Sequence, residues 1–324
     1  MITVLVYEFA SGGGFSGEAP LGILGEGRAM RDAVCLDLAE LGAIQVLAAT
    51  LLHELPPPGS RGVSPSFGES ANAFLRRVAT TVDAVWLIAP ESNGISLELT
   101  FVLEDLGTNI IGCGSAAVAL ASSKSLTLER LAAAGFATIP TWPLATAPLA
   151  LYETWVVKPD RGCGCEDMRR LPRHAVNPLY QPLYEPHCQR EAESIIAQPW
   201  LNGDAMSLSL LVNGPDVEIL SINRQHIAEA EDGSLALTGI TRCVVIDTTT
   251  QDRLEALSVG LVAAIPGLRG YVGVDFVLDA CATPMVLEVN PRLTSAYVGL
   301  SAMLGRNLAE DILRATMTEA AAYA

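Results

Sequence analysis

The chain has 324 residues, 50% of them hydrophobic, which is enough to fill the cores of two or three domains and too apolar for a disordered polymer. Its formal net charge of −16 repels phosphate at long range and argues against nucleic acid or an anionic membrane surface as partner. No apolar run approaches the roughly 18 residues of a membrane span, and seven cysteines, an odd number, do not suit a secreted disulfide framework.

In chain order, Ile2-Thr3-Val4-Leu5-Val6 reads as a strand rather than as a secretory signal, so a cytoplasmic protein is expected. Apolar runs at Ile2 to Tyr7, Ile44 to Thr50, Ala84 to Ile88 and Asn109 to Ile111 alternate with helical stretches around Gly27 to Leu41 and Ser70 to Thr81. That alternation predicts a parallel α/β domain with ligand-facing loops after its strands. Pro56 to Pro65 reads as a proline-rich loop, and Leu97 to Leu106 as an apolar helix.

From Ser122 the pattern changes. A serine pair caps a helix through Leu126, Leu128, Leu131 and Ala134, with Gly135 as its left-handed stop. Glu153 to Lys158 reads as a strand leading into the glycine-containing turn Pro159 to Cys165, and Pro172 to Pro186 as a surface connection. Short strands are expected at Ser194 to Gln198, Ala205 to Val212, Val217 to Arg224, Thr241 to Asp247, Gly273 to Leu278 and Pro284 to Val289. They imply a largely antiparallel sheet, closed by a helix at about Asn307 to Ala320.

The strongest chemical signal is Val274-Asp275-Phe276-Val277 followed by Leu287-Glu288-Val289-Asn290-Pro291-Arg292. On a strand, residues two apart share a face, so Glu288 and Asn290 project together while Leu287 and Val289 face the other way. Asp275 on a neighbouring strand completes an all-oxygen donor set suited to magnesium, and Arg292 just beyond can meet phosphate or a developing oxyanion.

These motifs resemble the ATP-grasp superfamily, in which Glu-x-Asn-Pro-Arg supplies two metal ligands and a catalytic arginine, and the upstream Asp another ligand. Lys124, in Ser-Ser-Lys-Ser-Leu-Thr, looks like that family's first ATP-binding lysine. Lys158, in Val-Val-Lys-Pro before Gly162 and Gly164, looks like the second. Compact ammonium groups neutralise phosphate charge, and glycines let backbone amides approach it. Gln198-Pro199-Trp200-Leu201-Asn202-Gly203-Asp204 resembles the adenine-binding hinge, with Asp204 a candidate for the ribose, although the family usually has Glu where this chain has Gln198 and an acid where it has Ala205. The resemblance covers about Ser122 to Ala302. It implies an α/β and α+β ATP-grasp fold in three parts: a parallel α/β pre-ATP-grasp domain at 1–115, a small lobe acting as a lid at 116–190, and a carboxy-terminal lobe with the metal site at 191–324. It also implies ATP and magnesium, with manganese as a substitute, and by superfamily habit a homodimer.

Tyr7-Glu8-Phe9-Ala10-Ser11-Gly12-Gly13 resembles the opening of a narrower group, the tyramine–glutamate ligases of methanofuran-type cofactor synthesis. That resemblance implies a glutamate carboxylate and an amine such as tyramine as substrates, met by Glu8, Ser11, Gly12, Gly13 and Glu91. A D-alanine-type or glutamate-adding ligase, and a non-catalytic nucleotide-binding regulator, remain as alternatives. The run Gly12 to Gly17 matches G-x-G-x-x-G, but Pro20 delays the helix and Asp37 falls in a helical stretch, so a dinucleotide site is not expected. Cys163, Cys165, His187 and Cys188 lack the paired spacing of a structural zinc site.

Overall fold

The computed structural model describes residues 2–177 and 194–317. The first part of the chain runs β1 (Ile2–Glu8), α1 (Leu21–Glu40), β2 (Ile44–Ala49), β3 (Ser60–Val63), α2 (Ala71–Val78), β4 (Ala84–Ile88), α3 (Ile95–Asp105) and β5 (Asn109–Ile110). Its five strands pair in parallel in the order β3-β2-β1-β4-β5. The order reverses between β1 and β4, so the loops leaving these two strands flank the crevice where parallel sheets take ligands. β3 lies inside the segment read as a proline-rich loop: Pro56 to Pro58 do break the chain, but Ser60–Val63 then adds to the edge of β2. An edge strand tolerates such weak patterning because one side needs no partner.

The next elements are α4 (Ser115–Ala121), α5 (Lys124–Ala133), β6 (Trp142–Pro143), β7 (Thr154–Pro159), β8 (Arg169–Pro172) and β9 (Ile195–Pro199). Ser123 caps α5 by accepting from the Leu126 amide, and Gly135 follows the helix with φ +87, as its sequence requires. β6 to β9 form an antiparallel sheet around Leu144, Trp155, Val157 and Ala197. α4 and α5 bury Ala117, Val118, Leu128 and Leu131 elsewhere, against the sheet that follows.

That sheet is made of β10 (Asp204–Asn213), β11 (Asp216–Glu229), β12 (Leu235–Thr241), β13 (Gly270–Leu278) and β14 (Pro284–Asn290), with α6 (Thr248–Ala264), α7 (Leu300–Leu304) and α8 (Leu308–Thr316) around it. All its pairings are antiparallel, in the order β12-β11-β10-β13-β14. The strand expected at Thr241 to Asp247 is not one: β12 ends at Thr241, and Asp247 instead caps α6, accepting from the Thr250 amide and hydroxyl. Val244, Val245 and Ile246 favour extended backbone locally, but Cys243 at φ 53 takes the chain out of the ladder, and beyond Asp247 the residues Leu254, Leu257 and Leu261 recur at helical spacing and bury together. Tertiary burial of that stripe outweighs local propensity.

The first sheet and the last lobe share one core, in which Val34, Leu38 and Trp86 pack with Tyr297, Leu300 and Ile312. Asp37 accepts hydrogen bonds from the Tyr297 and Ser301 hydroxyls, both at 2.5 Å, and Arg269 donates to the Gly112 and Ile110 carbonyls. These contacts hold the β1/β4 crevice over the end of β14. Among the described residues no helix is long and apolar enough to cross a membrane. The readings placed on Pro178 to Pro186, His187, Cys188 and the last residues of the final helix lie outside the described residues.

Candidate active site

β13 and β14 are neighbours, and their register sets Asp275 opposite Glu288 and Gly273 opposite Asn290. Asn290 Nδ2 donates to Asp275 Oδ2 at 3.2 Å, and Gln225 on β11 donates to Asp275 Oδ1 at 3.0 Å. The three predicted oxygen-bearing side chains therefore converge. Burial and the adjacent Glu288 push the Asp275 carboxyl well above the usual range. Burial also disfavours charge on Glu288, but Lys124 and Lys158 outweigh it and hold the pKa down at about 2.

Both lysines lie in this corner, as their motifs imply. Lys124 opens α5, with its Nζ 3.1 Å from Glu288 Oε2 and 2.8 Å from the Gly162 carbonyl. Lys158 is on β7, 3% exposed, and burial followed by the repulsion of Lys124 lowers its pKa to about 8. Two cations that close are unfavourable unless anions meet them, so the arrangement suits phosphate. Gly162, Cys163, Cys165 and Glu166 line one pocket with Lys124, Lys158 and Glu288.

Asp160, two residues after Lys158, was not singled out by sequence reasoning. It is buried and accepts from the Ser123 hydroxyl at 2.6 Å, the Ser125 amide at 2.8 Å and the Ser125 hydroxyl at 2.6 Å. It thereby fastens the start of α5, which bears Lys124, to the turn that follows Lys158. A buried carboxylate at a helix amino terminus gains from the unpaired amides there. The signal was present in the sequence as an acid directly after Lys-Pro and a serine on each side of Lys124. Gln225 was missed too, and nothing in its local sequence marks it.

Arg292 does not stand alone at the end of β14. Its Nε and Nη2 donate to the two Glu91 carboxylate oxygens at 2.8 and 2.7 Å, and Glu91 is 3% exposed. Burial disfavours the guanidinium charge, yet Glu91 outweighs it and raises the pKa of Arg292. Glu91 comes from the loop after β4, one side of the crevice. On the other side, at the end of β1, Glu8 is 5% exposed and accepts from the Ala10 amide at 3.1 Å and the Ser11 amide at 2.7 Å. Ser11 is buried, and the Gly12 amide bonds the Glu8 carbonyl at 2.7 Å so closely that a Cβ at Gly12 would stand 2.6 Å from that oxygen. Gly13 continues the turn with φ +81. Burial raises the Glu8 pKa, against the pull of these amides.

At the hinge, Gln198 is buried and donates to Thr141 Oγ1 at 2.9 Å, and Pro199 pairs with Trp155. The Trp200 ring lies beneath the Arg170 guanidinium at 4.3 Å from its centroid, while Leu201 packs at the edge of the large-lobe core. Asp204 is half-exposed and paired with Arg224 at 3.1 Å. Cys163 and Cys165 are free thiols with pKa values pushed up to about 11, foremost by burial. Among the described residues no group of three or more His, Cys, Asp or Glu side chains is placed to hold a metal; the oxygen site at Asp275 and Glu288 needs the Asn290 amide as its third donor. Two carboxyls pressed together in burial, with an amide beside them, are a hard-oxygen set that a divalent cation fits.

The ATP-grasp domain family matches residues 121–296, and the pre ATP-grasp 3 domain family matches residues 45–118. A tyramine–L-glutamate ligase from Methanocaldococcus fervens is 25% identical over 312 residues, covering 92% of this chain and 89% of that protein. Its namesake from Methanocaldococcus jannaschii is 28% identical over 219 residues, 68% of this chain and 58% of that one. Among solved structures, an ATP-grasp superfamily protein from Archaeoglobus fulgidus superposes with a TM-score of 0.72 at 23% identity, covering 96% of this chain and 88% of that one. With lysines, carboxylates and arginine in the order and corner just described, the chain belongs to the ATP-grasp family of ATP-dependent ligases.

Proposed function

We propose that the protein joins the side-chain carboxylate of glutamate to an amine of the tyramine type, consuming ATP and releasing ADP and phosphate. The observation that carries this reading is the convergence of Lys124, Lys158, Asp275, Glu288, Asn290 and Arg292 at one corner facing the β1/β4 crevice. The names of the two Methanocaldococcus relatives support the choice of acid and amine.

In the proposed reaction a glutamate oxygen attacks the γ-phosphorus, the bond to the β,γ-bridging oxygen breaks, and ADP leaves with that electron pair. The neutral amine then attacks the acyl carbon and loses a proton as phosphate departs. Lys124 and Lys158 hold the triphosphate in line and offset its charge, and Arg292 meets the transferring phosphoryl group. Asp275, Glu288 and Asn290 would hold magnesium, which adds charge neutralisation at the phosphates. The hinge from Gln198 to Leu201 offers backbone groups to adenine. The loops after β1 and β4 form the substrate side, with the domain division at 1–115, 116–190 and 191–324.

The test is ADP release with magnesium and ATP in the presence of glutamate, tyramine or both, with mass analysis of the product. ADP that appears only with both, together with a glutamyl-tyramine mass absent from Asn290→Ala, is the expected result. Amide formation from another acid or amine, at rates that glutamate and tyramine do not match, would replace these substrates while keeping the ligase.

A further inference from the structure

The loop between β4 and α3 touches both other parts of the molecule through two consecutive side chains. Glu91 engages Arg292 at the end of β14. Ser92 Oγ donates to Glu166 Oε2 at 2.6 Å and lies 3.8 Å from Cys163 Sγ. Glu166 and Cys163 belong to the loop that joins β7 to β8 and lines the pocket containing Lys124, Lys158 and Glu288. Ser92 is 5% exposed, so its hydroxyl is a built contact rather than a surface accident.

Both loops carry left-handed backbone at residues other than glycine: Asn93 at φ 55 in one, Cys165 at φ 64 and Asp167 at φ 50 in the other. Such conformations are disfavoured and persist only where surrounding contacts over-determine them. The Ser92–Glu166 bond is one such contact, and it ties the glycine-bearing loop to the same short segment that orients Arg292. Another anchor lies inside the phosphate corner, where Lys124 Nζ donates to the Gly162 carbonyl, and β12 holds the far end of the loop through the Leu235 amide on the Met168 carbonyl. Nucleotide phosphates would compete for that ammonium, and outside the corner the Ser92–Glu166 bond is the contact that reaches the segment bearing Glu91.

We propose that Ser92 is a positioning residue that latches the glycine-bearing loop to the first domain, keeping it closed over the phosphates while Arg292 is held by the neighbouring Glu91. A loop that stays closed shields an activated carboxylate from water. The latch rests on the nucleotide occupying the Lys124–Lys158 pocket; the substrates named above enter only its second readout.

The experiment uses the full chain as wild type, Ser92→Ala, Ser92→Thr, Glu166→Ala and the Ser92→Ala/Glu166→Ala pair. The first readout is the rate at which a maleimide labels Cys163 and Cys165, with and without magnesium and a non-hydrolysable ATP analogue whose binding is measured separately. Wild type and Ser92→Thr should be protected by the nucleotide. In Ser92→Ala, nucleotide still binds but protection falls by roughly threefold or more, and the double variant is no worse than either single. The second readout is ADP released per amide formed, near unity in wild type and raised in Ser92→Ala at an unchanged KM for ATP. Equal protection in wild type and Ser92→Ala, a Ser92→Thr defect matching that of alanine, or additive losses in the double variant would overturn the latch. If wild type forms no glutamyl-tyramine, the substrate reading fails, and the labelling arm still decides the latch.

Discussion

Two parts of the molecule present carboxylates from strands, and they use them in opposite ways. At β13 and β14, Asp275 and Glu288 face each other beside Asn290 and look toward Lys124 and Lys158 from other elements. At the end of β1, Glu8 turns toward the loop that follows and its oxygens accept from the Ala10 and Ser11 amides. The first arrangement concentrates like charges that an incoming cation or phosphate relieves, whereas the second satisfies its charge internally. A motif acid is therefore chemical or architectural according to which groups its lone pairs meet.

The largest expected effect comes from breaking the first arrangement. Glu288→Gln should lower ADP formation by about 10²- to 10³-fold, as loss of a charge-stabilising group in a desolvated site does. Steady-state assays at saturating ATP check this, and a loss below tenfold would move the metal site elsewhere.

Asp160→Asn should loosen both lysines at once. It keeps the shape but weakens three hydrogen bonds to a buried carboxylate, and should cost about 1.5–3 kcal/mol in a denaturant titration together with weaker nucleotide binding. Loss of stability with unaltered nucleotide affinity would separate the fastening of α5 from the placement of Lys124.

The β1 loop can be broken from either side. Glu8→Gln should cost about 1–3 kcal/mol, because glutamine keeps one acceptor oxygen and leaves one of the two loop amides facing its NH2 group. Gly27→Ala, which normally favours a helix, should also destabilise, because its Cβ would stand 2.3 Å from Glu8 Oε2. If instead both variants melt like wild type and Glu8→Gln alone raises the KM of the amine, Glu8 is a substrate contact and the contrast between the two regions collapses.

Lys158 gives a pH signature. Its pKa of about 8 in the folded protein lies below the ordinary lysine value, foremost through burial and then through Lys124. Phosphate beside it favours the ammonium and raises that pKa, so nucleotide binding between about pH 8 and 9 should take up protons. Calorimetry in buffers of different ionisation enthalpy measures this, with Lys158→Arg, which stays protonated, as the subtraction. For the folded protein alone the same depression means that the native state binds fewer protons than the unfolded chain between about pH 8 and 10. Stability from this group therefore rises with pH across that window. Absence of proton uptake attributable to Lys158 would place the phosphates away from it.

The smallest effect is expected at Asp204, whose pair with Arg224 is half-exposed on both sides. Asp204→Ala should cost less than about 1 kcal/mol in a thermal melt. A large rise in the KM for ATP would instead give it the ribose.

Sequence by itself determined the parts whose cause is local. Period-two alternation puts Glu288 and Asn290 on one face of β14, a serine before Lys124 caps α5, and alternating apolar runs give the parallel first sheet. It misread Thr241 to Asp247 as a strand because Val244, Val245 and Ile246 look extended, whereas the backbone turns left-handed at Cys243 and Asp247 caps α6. What only the tertiary structure decided is which polar groups meet. Glu91 and Arg292 are 201 positions apart and Ser92 and Glu166 are 74 apart, and no local pattern predicts either pair. Such pairings follow from the shared core that seats the β1/β4 crevice over the end of β14, because burial there makes an unpaired charge costly and favours a partner from whatever element the packing brings near.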